Sequence, residues 1–233
     1  MYPILLMLSF PAAAEPTAPE RPWQGEVELG VVTTRGNTDT DSLNAKAKVV
    51  NVRDSWRHTG RIEAVNNATD GVRNAEHYFA LFKSDHKLSE VSYLFASINY
   101  DADRFSGYDY HSALAVGYGR GVVKREDLTL ELEAGAGARQ SKVTGASDAD
   151  NEGIVSGTMH LNWQFTKVAA FGEDLSVEVG QDTTITRSST SLKSTLAANF
   201  ALKVTVDVDY TSDVPPGIEN TDVMTATTIV YNF

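Results

Sequence analysis

Leu128-Thr129-Leu130-Glu131-Leu132-Glu133-Ala134-Gly135-Ala136-Gly137-Ala138 is the stretch on which the fold turns. Its period is two. Leu128, Leu130, Leu132, Ala134 and Ala136 fall on one face and Thr129, Glu131, Glu133, Gly135 and Gly137 on the other, as in a strand whose successive side chains point opposite ways. A soluble sandwich or lipocalin-like barrel would bury the apolar face, and would then have to fill its core with Ala134, Ala136 and Ala138, where large side chains are needed. A membrane barrel turns that face to lipid and leaves Glu131 and Glu133 in a wet lumen.

The alternation recurs along the chain. Val27, Leu29 and Val31 oppose Glu26, Glu28 and Gly30; Leu43, Ala45, Ala47 and Val49 oppose Asn44, Lys46 and Lys48. Leu175, Val177 and Val179 oppose Ser176 and Glu178; Leu202, Val204, Val206, Val208 and Tyr210 oppose Lys203, Thr205, Asp207 and Asp209. Breaks of Gly, Asn, Asp and Ser divide the chain into strands near 23–34, 40–51, 55–66, 75–86, 91–101, 109–120, 126–140, 152–166, 174–184, 190–200, 203–212 and 221–233. Each has the about ten residues that a tilted strand needs to cross hydrocarbon. The expectation is an all-β fold: a single closed antiparallel transmembrane β-barrel of about 12 strands over residues 23–233. The connections after the odd-numbered strands read as long and polar and face outward, and those between read as short periplasmic turns. Trp23, Tyr118, Trp163, Phe165, Phe200, Tyr210, Tyr231 and Phe233 lie near segment ends, where aromatic girdles sit. The fourth and fifth segments keep their facing open, because Tyr78 to Leu81 and Tyr93 to Phe95 are apolar on both sides.

Composition removes several classes of function. Mean hydropathy is -0.24, and the only long apolar run is Pro3 to Phe10, so no helical membrane bundle is encoded. A net charge of -11 opposes binding to a phosphate backbone, which excludes nucleic acid as an expected partner. Cysteine is absent, and with it disulfides and thiolate chemistry. Ile4 to Phe10 followed by Pro11-Ala12-Ala13-Ala14 reads as a signal peptide over residues 1–14 with an A-x-A-like cleavage site, although Met1 and Tyr2 supply no basic n-region. Residues 15–22 hold three prolines and two acids and read as a periplasmic linker. At the other end Val223, Thr225, Thr227, Ile229, Tyr231 and Phe233 alternate to a terminal aromatic, and Ile229, Tyr231 and Phe233 resemble the signal read by the outer-membrane barrel assembly machinery.

Several stretches are similar to the DUF481 family, whose YdiY-type members are often labelled salt-induced outer-membrane proteins. Glu26-Val27-Glu28-Leu29-Gly30 with Arg35-Gly36-Asn37-Thr38-Asp39-Thr40 resembles its opening hairpin. Asp103-Arg104-Phe105-Ser106-Gly107-Tyr108-Asp109-Tyr110 resembles its central motif, and Val206 to Tyr210 and Asp222 to Phe233 resemble its ending. The resemblance implies an outer-membrane barrel and little chemistry.

His58, His77, His86, His111 and His160 are scattered over separate strands without metal-ligand spacing, so no metal site and no cofactor are expected. His111 and Ser112 are strand neighbours that point to opposite faces and cannot form a nucleophile–base pair, so no enzyme is expected. Asp101, Asp103 and the run Ser147 to Glu152 offer oxygen ligands but match no EF-hand, and read as solvated acidic loops. Asp103, Arg104, Phe105, Ser106 and Gly107 read as a loop-fixing motif. The candidate functional surface is the inner face. Glu26, Glu28, Glu131, Glu133, Glu178, Asp207 and Asp209 share it with Lys46, Lys48, Arg57, Arg61, Arg139, Lys193 and Lys203. Charges of both signs tolerate burial when paired or hydrated, so they either cross-brace the lumen or line a channel. The reading is a monomer contacting outer-membrane lipid and lipopolysaccharide, with at most a narrow path for small solutes or ions. The alternative is a non-conducting structural or salt/stress-response envelope protein acting through its outer loops.

Overall fold

A computed structural model describes residues 22–34 and 40–233. Residues 1–21, with the leader and most of the linker, and residues 35–39 of the first outer connection lie outside the described residues. Twelve antiparallel strands form one closed barrel in which each pairs with its sequence neighbours and the first with the last. They are β1 Trp23–Thr34, β2 Thr40–Arg53, β3 Trp56–Thr69, β4 Val72–Lys87, β5 Ser92–Asp103 and β6 Tyr108–Lys124. The second half comprises β7 Leu128–Val143, β8 Asp150–Trp163, β9 Ala169–Val179, β10 Thr184–Ala197, β11 Phe200–Thr211 and β12 Thr221–Asn232. Closure leaves no sheet edge, the condition for placing backbone in hydrocarbon, where an unpaired N–H or C=O costs several kcal/mol.

The side chains face as the alternation requires. Val27 (45%), Leu29 (52%), Ile62 (62%), Leu114 (57%) and Val155 (63%) are exposed on the outer wall, while Glu28 (4%) and Glu133 (8%) are buried within. An apolar belt this continuous is incompatible with water and is the surface of a transmembrane barrel. At closure, the Gly25 N–H donates to the Phe233 carbonyl at 3.0 Å and the Phe233 N–H to the Gly25 carbonyl at 2.9 Å. Tyr231 lies outside against Phe200 at 5.1 Å and Phe233 at 6.3 Å between ring centroids. Ile229 is on the same outer face, opposite Leu29.

Two sequence expectations are corrected, and one reading that the sequence left open is decided. The β3–β4 connection is a two-residue turn instead of a long loop, because both strands run past the predicted ends into a hairpin closed by Asp70 (φ 50) and Gly71 (φ 76), the double positive φ of a type I′ turn. Strands β9 and β10 begin five and six residues earlier than predicted, at Ala169 and Thr184. Thr183, Thr184 and Thr186 supply too little hydrophobic contrast to mark that boundary. Facing in β4 and β5, open in the sequence, is decided by register: Lys83 pairs with Ser97, Asp85 with Phe95 and Lys87 with Tyr93. Tyr93 and Phe95 therefore point into the lumen, while Phe82, Leu94 and Ile98 point out.

Candidate functional site: the charged lumen

The inner wall of β6 and β7 is built from small residues, Ala113, Ala115, Gly117 and Gly119 on one strand and Gly135 and Gly137 on the other. This is a bed for large rings: a Cβ on Gly119 would strike the Tyr93 ring, and one on Gly135 would come within 2.9 Å of Phe95 Cζ. Tyr93, Phe95 and Ala115 form a buried cluster in the lumen wall. Lys83 Nζ lies 5.2 Å from the centroid of each ring and the Arg57 guanidinium 4.8 Å from that of Tyr93, so the inner aromatics carry cations over their faces.

From this bed the charges cross the barrel. Arg57 donates to Asp85 at 2.6 Å and, through both terminal nitrogens, to Glu131 at 3.1 and 2.9 Å. Lys83 bonds Glu133, and the Tyr93 hydroxyl donates to Glu131 at 2.8 Å and Glu133 at 2.7 Å. Lys46 bridges Asp207 at 2.9 Å and Glu63 at 3.3 Å; Arg61 also bonds Glu63. Lys193 meets Glu26 at 3.3 Å and Lys203 meets Glu28 at 2.7 Å. Nearer the other end, Arg187 reaches Asp101 at 2.8 Å and Asp209 at 3.6 Å. Arg139 holds Glu152 at 2.6 Å and Glu178 at 3.3 Å, and donates to the Thr183 carbonyl at 2.5 Å. The Arg187–Asp101 pair links β10 to β5, nearly opposite strands of the ring, so the network is strung across the bore as well as along the wall.

All fourteen sequence-selected charges point inward, and all but Lys48 take part in these ion pairs. Sequence reasoning missed Glu63, Asp85, Asp174 and Arg187, and its reading of Asp101 and Glu152 as solvated loop acids is corrected: Asp101 is only 6% exposed on the inner face of β5, and Glu152 turns inward to Arg139. The alternation around the missed residues is hidden by apolar inner neighbours such as Phe79, Leu81 and Phe95, or by polar outer ones such as Ser188 and Glu173. It also missed a Ser–His contact. His111 Nδ1 lies 2.8 Å from Ser141 Oγ across the β6–β7 register, whereas Ser112, on the outer face, donates to the Asn99 carbonyl. Asp101, paired with His111 in register, bonds His77 at 3.0 Å and Arg187, and does not orient the imidazole. The acidic loop residues are engaged likewise, Glu152 by Arg139 and Asp103 by its own turn.

The bore narrows along its length. A cavity of about 670 Å³ reaches the end where β1 begins and β12 ends, here the terminus end, and is lined by Glu26, Lys48, Arg57, Glu131, Lys193 and Lys203. Above it lies a cavity of about 190 Å³ among Arg61, Glu133 and Arg187, and then one of about 40 Å³ beneath His77, His111 and Asp222. The far mouth is crossed by the β11–β12 loop, residues 212–220. The Tyr108 hydroxyl donates to the Asp213 carbonyl at 2.9 Å, and Gly107 sits against Pro215 and Ile218, where a Cβ would come within 3.0 Å of both side chains. The β5–β6 turn that receives it is diametrically opposite. That turn is the motif singled out in the sequence. The Phe105 N–H donates to Asp103 Oδ1 at 2.7 Å, Ser106 Oγ to the Asp103 carbonyl at 2.8 Å, Arg104 pairs with Glu76 at 3.2 Å, and Gly107 adopts φ 81.

A family described as "Protein of unknown function, DUF481" matches residues 27–233. The chain belongs to the DUF481 family. An Escherichia coli (strain K12) relative named "Uncharacterized protein YdiY" is 30% identical over 227 residues, covering 96% of this DUF481 chain and 88% of its own. Among solved structures, the DUF481 chain resembles the COG4313 outer membrane channel from Pseudomonas putida F1, with TM-score 0.53, 12% identity, and coverage of 97% of this chain and 100% of that one. It also resembles the NanC porin, with TM-score 0.51, 10% identity, and coverage of 89% and 97%. At these identities the DUF481 chain shares their barrel fold.

Proposed function

We propose that this barrel sits in the bacterial outer membrane and gives small solutes or ions a narrow, charge-lined passage, with its strand-terminus end in the periplasm. The observation that carries the reading is the bore itself: lined by charges of both signs along its length, roomiest at the terminus end, and diminishing toward the mouth crossed by the β11–β12 loop. A non-enzymatic role accords with His111 and Ser141 lying beneath that loop without an orienting carboxylate. The channel folds among the solved structures support the same direction. The barrel acts as a monomer surrounded by lipid and lipopolysaccharide, after assembly by the barrel machinery that reads Ile229, Tyr231 and Phe233.

The test is single-channel recording of the refolded chain in a planar bilayer, after heat-modifiable gel migration shows a folded barrel. Small discrete steps whose ion selectivity shifts toward anions in Glu131→Gln/Glu133→Gln are expected. A folded, silent barrel would overturn the passage and favour the rival, a salt- or stress-response envelope protein acting through its outer loops, to which the mouth-crossing loop also lends support.

A further inference from the structure

The outer wall is not uniformly smooth. Over β2–β5 it carries an apolar groove of about 560 Å³ whose floor is Ala47, Gly60 and Ala80 and whose sides include Ile62, Phe82 and Ile98. The floor residues are small and the sides large, and nothing lies within 4 Å of where a Gly60 Cβ would be, so the depression is open to the bilayer. Toward the terminus end it runs into rings. His58 stacks on Phe82 at 6.2 Å and on Trp56 at 5.9 Å, and His86 packs on Trp56 at 4.7 Å. Both histidines are outward-facing, cross-strand neighbours of Ser84 and Trp56. Arg53 pairs with Trp56 in the β2–β3 register and is exposed at the rim.

The Nδ1 atoms of His58 and His86 are buried without a hydrogen-bond partner. A buried N–H without an acceptor is costly, which selects the tautomer with its proton on Nε2 and leaves that N–H as each ring's donor. Donors on a lipid-facing wall need acceptors, and at the level of an aromatic girdle phosphate and ester oxygens supply them beside interfacial water.

We propose that this strip is a docking site for one phospholipid of the membrane leaflet at the terminus end. An acyl chain lies in the Gly60 groove, and the phosphate meets the imidazole N–H groups of His58 and His86 with Arg53 beside it. The site faces outward, opposite in sense to the lumen, so it stands whether or not the bore conducts.

Native mass spectrometry of the full refolded chain, titrated with palmitoyl-oleoyl phosphatidylglycerol and separately with dioleoylglycerol, tests it. The wild-type chain is expected to retain one phospholipid in preference to the diacylglycerol. Gly60→Leu fills the groove and should weaken retention by at least about tenfold. Gly157→Leu, on the outer face of β8 where a Cβ meets only the Glu133 carbonyl at 3.9 Å, should leave it unchanged. His58→Phe/His86→Phe keeps the ring packing and should abolish the preference for phospholipid over diacylglycerol. Equal phospholipid retention by Gly60→Leu and the wild type, or an undiminished preference in the double histidine variant, overturns the proposal. So does a dimer peak in place of the lipid adduct, which would assign the groove to a second copy.

Discussion

Arg139 is only 1% exposed, and its guanidinium answers two carboxylates and a backbone carbonyl. Removing one partner of such a cluster strands the others, so Arg139→Met should cost about 3–5 kcal/mol, read as a lowered urea midpoint for unfolding from detergent micelles. The residue was legible in the sequence as an inward charge. Its partners were not, since Glu152 and Thr183 reach it only through the β7–β8 register and the curl of the β9–β10 connection. Gly119 makes the complementary case. In the sequence it is one glycine among many, and only the Tyr93 ring lying over it shows why a side chain is excluded. Gly119→Val should overpack the lumen wall by about 1–3 kcal/mol, checked by the same unfolding curve, whereas Gly121→Val, with only the Val91 carbonyl 3.7 Å from its Cβ, should be tolerated better.

Among the elements, the β11–β12 loop and the β5–β6 turn form a unit that neither makes alone. The turn is self-sufficient, its Asp103, Ser106 and Gly107 arranged by local hydrogen bonds and a positive φ, and for that reason its motif was readable. The loop's path across the mouth was not readable, because a segment such as Pro215-Pro216-Gly217 reports a break in pairing and nothing about direction. Replacing residues 213–218 with a Gly-Ser linker should raise single-channel conductance severalfold, and Tyr108→Phe should increase the frequency of brief openings without changing step size. Recordings of both variants beside the parent chain check this. The early start of β10 has a related cause: threonine and serine fit lipid-facing and lumen-facing positions alike, so alternation fades while backbone pairing continues. That of β9 has another, since Gly172 faces the lumen and Glu173 faces out, which reverses the expected contrast.

For the whole molecule, orientation is the property that places every other one. The chain has no cysteine, so single substitutions report cleanly. Ser147→Cys, in the β7–β8 connection, should react with a membrane-impermeant maleimide on intact cells. Ser55→Cys, in the β2–β3 turn, should react only after the outer membrane is permeabilised. The opposite labelling pattern would invert the barrel and put the wide cavity outside. What the sequence by itself determined was the class of fold and the facing of most strands. Strand alternation is a local property, and Leu132 beside Glu133 or Val27 beside Glu28 already separates lipid from lumen. Only the tertiary structure decided which charges meet, which way Tyr93 and Phe95 turn, and where the bore narrows. Those depend on strand register and closure, which bring residues more than a hundred positions apart, such as Lys46 and Asp207, within a hydrogen bond of 2.9 Å.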